Sequence, residues 1–211
     1  MKQQTYETLK LYYNSYLYKA EVYFPPAVIF RDKNWSYARG IIDCKLAGRE
    51  DQEPLYSYLR YNKHPMEEYT VAQQLLKFFT SIKGDFRISI CRPVLSFYCK
   101  DISLIYKLES IVGKDRLFSI HKPANKYVEK ELLENKNIII TEDKNWAYKI
   151  VFKESLQVDN RLLDLRKNNK IYFRNNDVAK QINVKDEKTL TLIQLITNCK
   201  IDKIYTFKEK V

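Results

Sequence analysis

FRISICRPVLSFYCKDISLIYKLESIV (residues 86–112) and IYFRNNDVAKQINVKDEKTLTLIQLIT (residues 171–197) decide how this chain is divided. Aligned on Lys100-Asp101 and Lys185-Asp186, the two stretches share apolar parity. Phe86 meets Ile171, Ile88 meets Phe173, Phe97 meets Ile182 and Cys99 meets Val184. Alternation of period two predicts strands before each Lys-Asp pair. The segments after it, 102–112 and 187–198, have helical periodicity. Asp101 and Asp186 are their expected N-caps, with carboxylates accepting from backbone N–H groups that have no helical partner. Strand-like runs follow at 116–122 and 203–208.

Upstream of each stretch stands D-K-N-W, at 32–35 and 143–146, holding both tryptophans of the chain. Apolar runs flank each copy, 27–30 and 36–42 in the first, 137–141 and 147–153 in the second. Asp can bond its own backbone two residues on and Asn tolerates left-handed φ, so D-K-N predicts a hairpin loop in both places. A helix is expected after Pro65, with Tyr69, Ala72, Leu76, Phe79 and Ile82 on one face. A shorter one is expected over 156–167, with Leu162, Leu163 and Leu165.

Each half therefore reads hairpin, helix, two strands, helix, strand. The fold class expected is α+β, in two tandem, distantly similar halves (1–124 and 125–211), with antiparallel sheets covered by helices mainly on one face. If the halves arose by duplication, the Trp35 and Trp146 hairpins must stand at equivalent topological positions, with both tryptophans as core anchors. Residues 12–24, ending in F-P-P-A, read as an extra strand without a partner in the second half. Residues 47–62 read as an insertion.

With 211 residues, 45% apolar and 30% charged, the chain has material for a sizeable core. The start MKQQTYETLKLYY lacks the apolar stretch of a signal peptide, and no run is long and apolar enough for a membrane span. The cysteines Cys44, Cys91, Cys99 and Cys199 are scattered, with no C-x-x-C pair. Two histidines, His64 and His121, do not supply zinc-ligand spacing. Reduced thiols, an intracellular (cytoplasmic) location and no metal or cofactor are expected.

The net charge is +11. It is spread along the chain, about +6 before Asn125 and +5 after, so a folded basic surface and a polyanionic partner are expected. Lysine, asparagine and isoleucine are abundant, which suggests AT-rich coding as in many phages and other viruses. Strand parity says where such a partner would bind. If Phe97, Cys99, Ile182 and Val184 point inward, Tyr98, Lys100 and Lys185 point outward, as do Arg87, Tyr172 and Arg174. Lys149 and Lys153 share the outer face of the strand after Trp146. Cations following phosphates and aromatic rings stacking bases fit single-stranded nucleic acid. The same residues also suit an ordinary solvated face or a protein contact. The tyrosines Tyr12, Tyr13, Tyr16 and Tyr18 favour packing over base stacking.

Catalytic signals are weak. There is no Walker loop, no G-x-G-x-x-G and no G-x-S-x-G. Ser119 and His121 share one face of a strand, but nothing in the sequence orients the imidazole. G-I-I-D-C-K places Asp43 and Lys45 two apart at an expected strand end after Asp32, with Glu68 or Gln73 on the next helix. That resembles the metal-dependent nucleases of the PD-(D/E)-x-K type, although the leading Pro-Asp is absent. The leading expectation is a non-catalytic nucleic-acid-binding or replication-associated protein. A structural or assembly protein contacting other chains comes second, and a nuclease third.

Overall fold

A computed structural model describes residues 3–49, 64–91, 93–175, 177–197 and 201–210. Most of the expected insertion at 47–62 lies outside them. The chain divides into two compact units, Met1–Ala124 and Asn125–Val211.

In the first unit the strands are β1 (Gln4–Glu7), β2 (Tyr18–Tyr23), β3 (Arg87–Cys91), β4 (Val94–Cys99) and β5 (Leu117–Lys122). The helices are α1 (Trp35–Leu46), α2 (Met66–Ser81) and α3 (Ile102–Val112), preceded by 3₁₀ turns over Pro25–Lys33. The second unit holds α4 (Lys126–Glu134), β6 (Ile138–Thr141), β7 (Tyr148–Gln157), α5 (Asn160–Lys167), β8 (Ile171–Tyr172), β9 (Val178–Val184), α6 (Glu187–Ile196) and β10 (Ile201–Glu209). Its sheet runs β6-β10-β7-β9-β8, and the first unit's runs β1-β5-β2-β4-β3. Both sheets are mixed rather than wholly antiparallel, because β1 pairs β5 and β6 pairs β10 in parallel.

The two units are alike strand by strand. Tyr18-Lys19-Ala20 faces Cys99-Tyr98-Phe97, and Tyr148-Lys149-Ile150 faces Val184-Asn183-Ile182. On the other edge, Lys19, Ala20 and Glu21 oppose His121, Ile120 and Ser119; Lys149, Ile150 and Val151 oppose Tyr205, Ile204 and Lys203. Both ladders then slip by one residue, past Phe118 and past Asp202, a β-bulge at the same place. The strand at 18–23, expected to lack a partner, is thus the counterpart of β7. From β2 to β5, and from β7 to β10, each unit follows the split β-α-β-β-α-β order, with one parallel edge strand added.

The D-K-N-W copies do not share in this likeness. In the first unit, Pro25-Pro26 fix φ and start helical turns where a strand was expected. Asp32 and Lys33 take left-handed φ of 59° and 54°, and the Asn34 side chain caps α1 by accepting from the Tyr37 amide at 3.1 Å. In the second, Asp143 Oδ1 accepts from the Asn145 amide at 2.9 Å in the β6–β7 connection. Neither site is a hairpin, since β10 lies between β6 and β7 and the first copy opens a helix. Counting back from β2 and β7, the counterpart of Trp146 is Tyr16, not Trp35.

Each unit has its own core. Phe24, Phe30, Phe78, Phe79, Phe86 and Phe97 are buried in the first, and Trp35 stacks on Phe79 and Phe86 with ring centroids 5.9 and 6.3 Å away. Ile150, Phe152, Leu162, Ile171, Phe173, Ile182, Val184 and Ile193 form the second. At about 1.5–3 kcal/mol for each large apolar side chain, this burial drives both folds.

Candidate nucleic-acid interface

Because Phe97, Ala20, Ile150 and Ile182 point into the cores, their neighbours line the opposite sheet faces. The registers align these neighbours in rows. In the second unit the row is Tyr172–Asn183–Lys149–Tyr205. In the first it is Arg87–Tyr98–Lys19–His121–Tyr6.

The middle of the first row, at Tyr98, is covered by its own chain, while its ends Arg87 and Tyr6 stay exposed. The connector between β1 and β2, residues 8–17, folds back over it, anchored by the buried Thr8, Leu11 and Leu17. Tyr13 packs edge-on against Tyr98 with centroids 5.0 Å apart, and the Arg87 guanidinium sits 3.8 Å over the Tyr13 ring. Tyr12 meets Tyr98 at 5.5 Å, and its hydroxyl lies 2.8 Å from His121 Nδ1. Tyr16 donates to Asp85 at 3.0 Å. Tyr98 is left 7% exposed. Burial pushes the hydroxyls of Tyr12 and Tyr98 up to about 12. Beneath, Lys19 pairs with Glu21 at 2.6 Å and Ser119 donates to Glu21 at 2.7 Å. Tyr12 and Tyr16 pack against Tyr98, whereas Tyr13 stays 49% exposed with the Arg87 guanidinium over its ring.

The second unit's connector has six residues, 142–147, too few to fold back in that way. Trp146 stands where Tyr16 does, half-buried, its ring centroid 6.2 Å from that of Tyr172 and tilted by 36°. Tyr172 is 49% exposed. Asn145, Trp146, Asn169 and Lys185 line a cleft of about 280 Å³. Two local features build it. Asn169 takes φ 56° just past α5, its amide donating to the Arg166 carbonyl at 2.9 Å, as a residue ending a helix does. The Lys185 amide donates to the Lys170 carbonyl at 3.1 Å, which brings the α5–β8 turn against the end of β9. Lys170, the counterpart of Asp85, pairs with Asp186 at 3.7 Å. The hydroxyl–carboxylate bond that holds Tyr16 thus has no equivalent at Trp146.

Of the eight residues proposed from sequence, Arg87, Tyr98 and Lys100 belong to the first unit and the other five to the second. Tyr172, Lys149 and Lys185 gather around this row and cleft. Lys153 is exposed where the β7–β9 ladder is irregular, its carbonyl accepting from Lys180 Nζ at 2.6 Å. Arg174 lines a separate cleft of about 680 Å³ with Arg166, Asn175 and Asp177. Lys100, counterpart of Lys185, borders a cleft of about 380 Å³ with Lys83, Asp85, Asp101 and Lys107. Sequence reasoning placed Trp146 in the core and passed over Asn145 and Asn169. Lys167-Asn168-Asn169-Lys170 after a leucine-bearing helix carries the missed signal, because Asn is a common left-handed residue at a helix end.

The catalytic expectations lose their geometry. Asp43 and Lys45 lie on helix α1 rather than at a strand end, and two positions on a helix diverge by about 200°. Lys45 is 6% exposed, 5.9 Å from the Tyr69 ring, whereas Asp43 lines a cleft with Arg39, Gln73 and Lys77. Glu68 is held by Arg116 at 2.6 Å. Ser119 donates to Glu21, not to His121, so no Ser–His pair forms. Among the described residues no group of three or more His, Cys, Asp or Glu could hold a metal ion. Cys44, Cys91 and Cys99 are free thiols, Cys99 buried and Cys91 exposed; Cys199 lies outside the described residues. No described helix is long and apolar enough to cross a membrane. No family model, curated protein or solved structure matches the chain.

Proposed function

We propose that the protein is a non-catalytic binder of single-stranded nucleic acid that works from the sheet face of its second unit. The observation that carries this is the Trp146–Tyr172 pair beside Lys185 and Lys149. Tyr172 is exposed and Trp146 half-buried beside it; aromatic rings interleaved with ammonium groups are what unpaired bases and phosphates require, at about 1–3 kcal/mol per stacked base. A duplex buries its bases and offers such rings nothing to stack on. The first unit supports the same reading by contrast at one position, since Tyr98 of its row is buried beneath Tyr12 and Tyr13 whereas Tyr172 is exposed.

Binding of labelled 12-mers across a salt series tests it. Affinity should fall with salt by roughly 0.7 in log K per phosphate neutralised for each decade. Trp146→Ala should weaken binding by about 1–3 kcal/mol. No retention at about 50 mM salt would remove the proposal. A second reading, contact with other protein chains, has its own observation: Leu192 and Leu195 on α6 are 42% and 72% exposed. There, Leu195→Glu should abolish self-association in sedimentation while leaving oligonucleotide binding unchanged.

A further inference from the structure

We infer that the cleft beside Trp146 is a base-reading pocket for adenine, with Asn169 as its specificity residue. This rests on the single-strand reading above and deepens it. The cleft brings together three groups used in nucleotide recognition: the half-buried indole of Trp146, the carboxamide residue Asn169 and the lysine Lys185. At about 280 Å³ it falls just under the range of roughly 300–1,000 Å³ typical of drug-sized ligands, the scale of one base rather than a base pair.

Its side chains are not equally available. Asn145 Nδ2 donates to Asp143 Oδ1 at 2.7 Å, and Asp143 also accepts from the Asn145 backbone, so this carboxamide is committed to its own turn. The Asn169 side chain has no such bond; the residue ends α5 with a left-handed backbone, is exposed and lines the cleft. One carboxamide offers an acceptor and a donor side by side, the pattern that pairs bidentately with adenine N6 and N7. A purine also covers more of an indole than a pyrimidine does. Lys185, one residue beyond β9, is exposed and lines the same cleft, so its ammonium is within reach of a phosphate there.

The first unit is an internal control. At the positions of Trp146, Asn169 and Lys170 it carries Tyr16, Gly84 and Asp85. Tyr16 is buried and bonded to Asp85, and Gly84 has no side chain with which to read a base. The first unit also has a cleft at this corner, about 380 Å³ along Gly84, Asp85 and Lys100, but neither an aromatic ring from the Tyr16 position nor a carboxamide lines it.

The test uses the full chain and fluorescence anisotropy of labelled (dA)12, (dT)12 and (dC)12. The expected result is a preference for (dA)12 of roughly 5- to 150-fold, the span one bidentate pair supplies. Asn169→Gly, which keeps the left-handed backbone, should erase that preference and leave (dT)12 affinity within about twofold. Lys185→Ala should weaken all three oligomers alike and lower the salt slope by about 0.7. Equal affinity for the three oligomers, or an adenine preference that survives Asn169→Gly, overturns the pocket while the single-strand reading stands. No oligomer bound at all overturns both.

Discussion

Three aspartates set where helices begin. Asp101, Asp159 and Asp186 accept from the amides of Ser103, Leu162 and Thr189 at 2.8, 3.1 and 2.8 Å. The Asp186 carboxyl is held below the usual range by the Thr189 amide first, with Lys170 adding to it. Asp101 is lowered chiefly by the Ser103 hydroxyl. Replacing Asp186 with Ala should cost about 1 kcal/mol, the common value of an N-cap. Since the folded pKa lies below the unfolded one, that contribution is complete above about pH 4 and fades as pH falls through the folded value. Urea midpoints of the wild type and Asp186→Ala should therefore differ at pH 7 and converge near about pH 2; a gap unchanged by acid would refute the charged cap. Such caps are legible in sequence because their chemistry spans three residues. D-K-N-W is not, because its bonds are chosen by its neighbours. After Pro25-Pro26 and ahead of a helix the Asn becomes the cap, and after a strand the Asp makes the turn.

At the scale of elements, what transferred from sequence was strand parity. Phe97 and Ile182, matched by alternation alone, occupy the same rung of equivalent ladders, opposite Ala20 and Ile150, and both are fully buried. Phe97→Ala should cost about 3–5 kcal/mol and Ile182→Ala about 2–5, each by chemical denaturation. A loss below about 1 kcal/mol at either would mean that its core is not closed as described. Parity could not reveal which strands are neighbours. The insertion of β5 between β1 and β2, and of β10 between β6 and β7, joins residues about a hundred positions apart in the first unit and about sixty in the second. No local pattern encodes that. The likeness of β2 to β7 was equally hidden, since only Tyr-Lys is shared at its start, and it emerges from register. The exposure of Tyr172 was predictable from alternation; the cover over Tyr98 was not, because it depends on where the Tyr12–Tyr16 segment folds.

For the whole molecule, the charge of +11 makes some attraction to polyanions inevitable, so charge alone cannot assign the function. The units share it almost equally, about +6 and +5, yet differ in what their sheet faces expose. That difference separates a general attraction from a site. Residues 125–211 contain a complete five-stranded sheet and a core of ten buried residues. Expressed alone, this segment should fold cooperatively and bind single-stranded 12-mers within about tenfold of the full chain at equal salt. Residues 1–124 carry slightly more positive charge, but Tyr98 lies beneath Tyr12 and Tyr13. This segment should bind at least about tenfold more weakly, the loss of one stacked base or more. If charge governed binding, the two segments would bind alike and Trp146→Ala would change nothing. If the aromatic row governs it, the second segment alone retains affinity, and Trp146→Ala removes most of it.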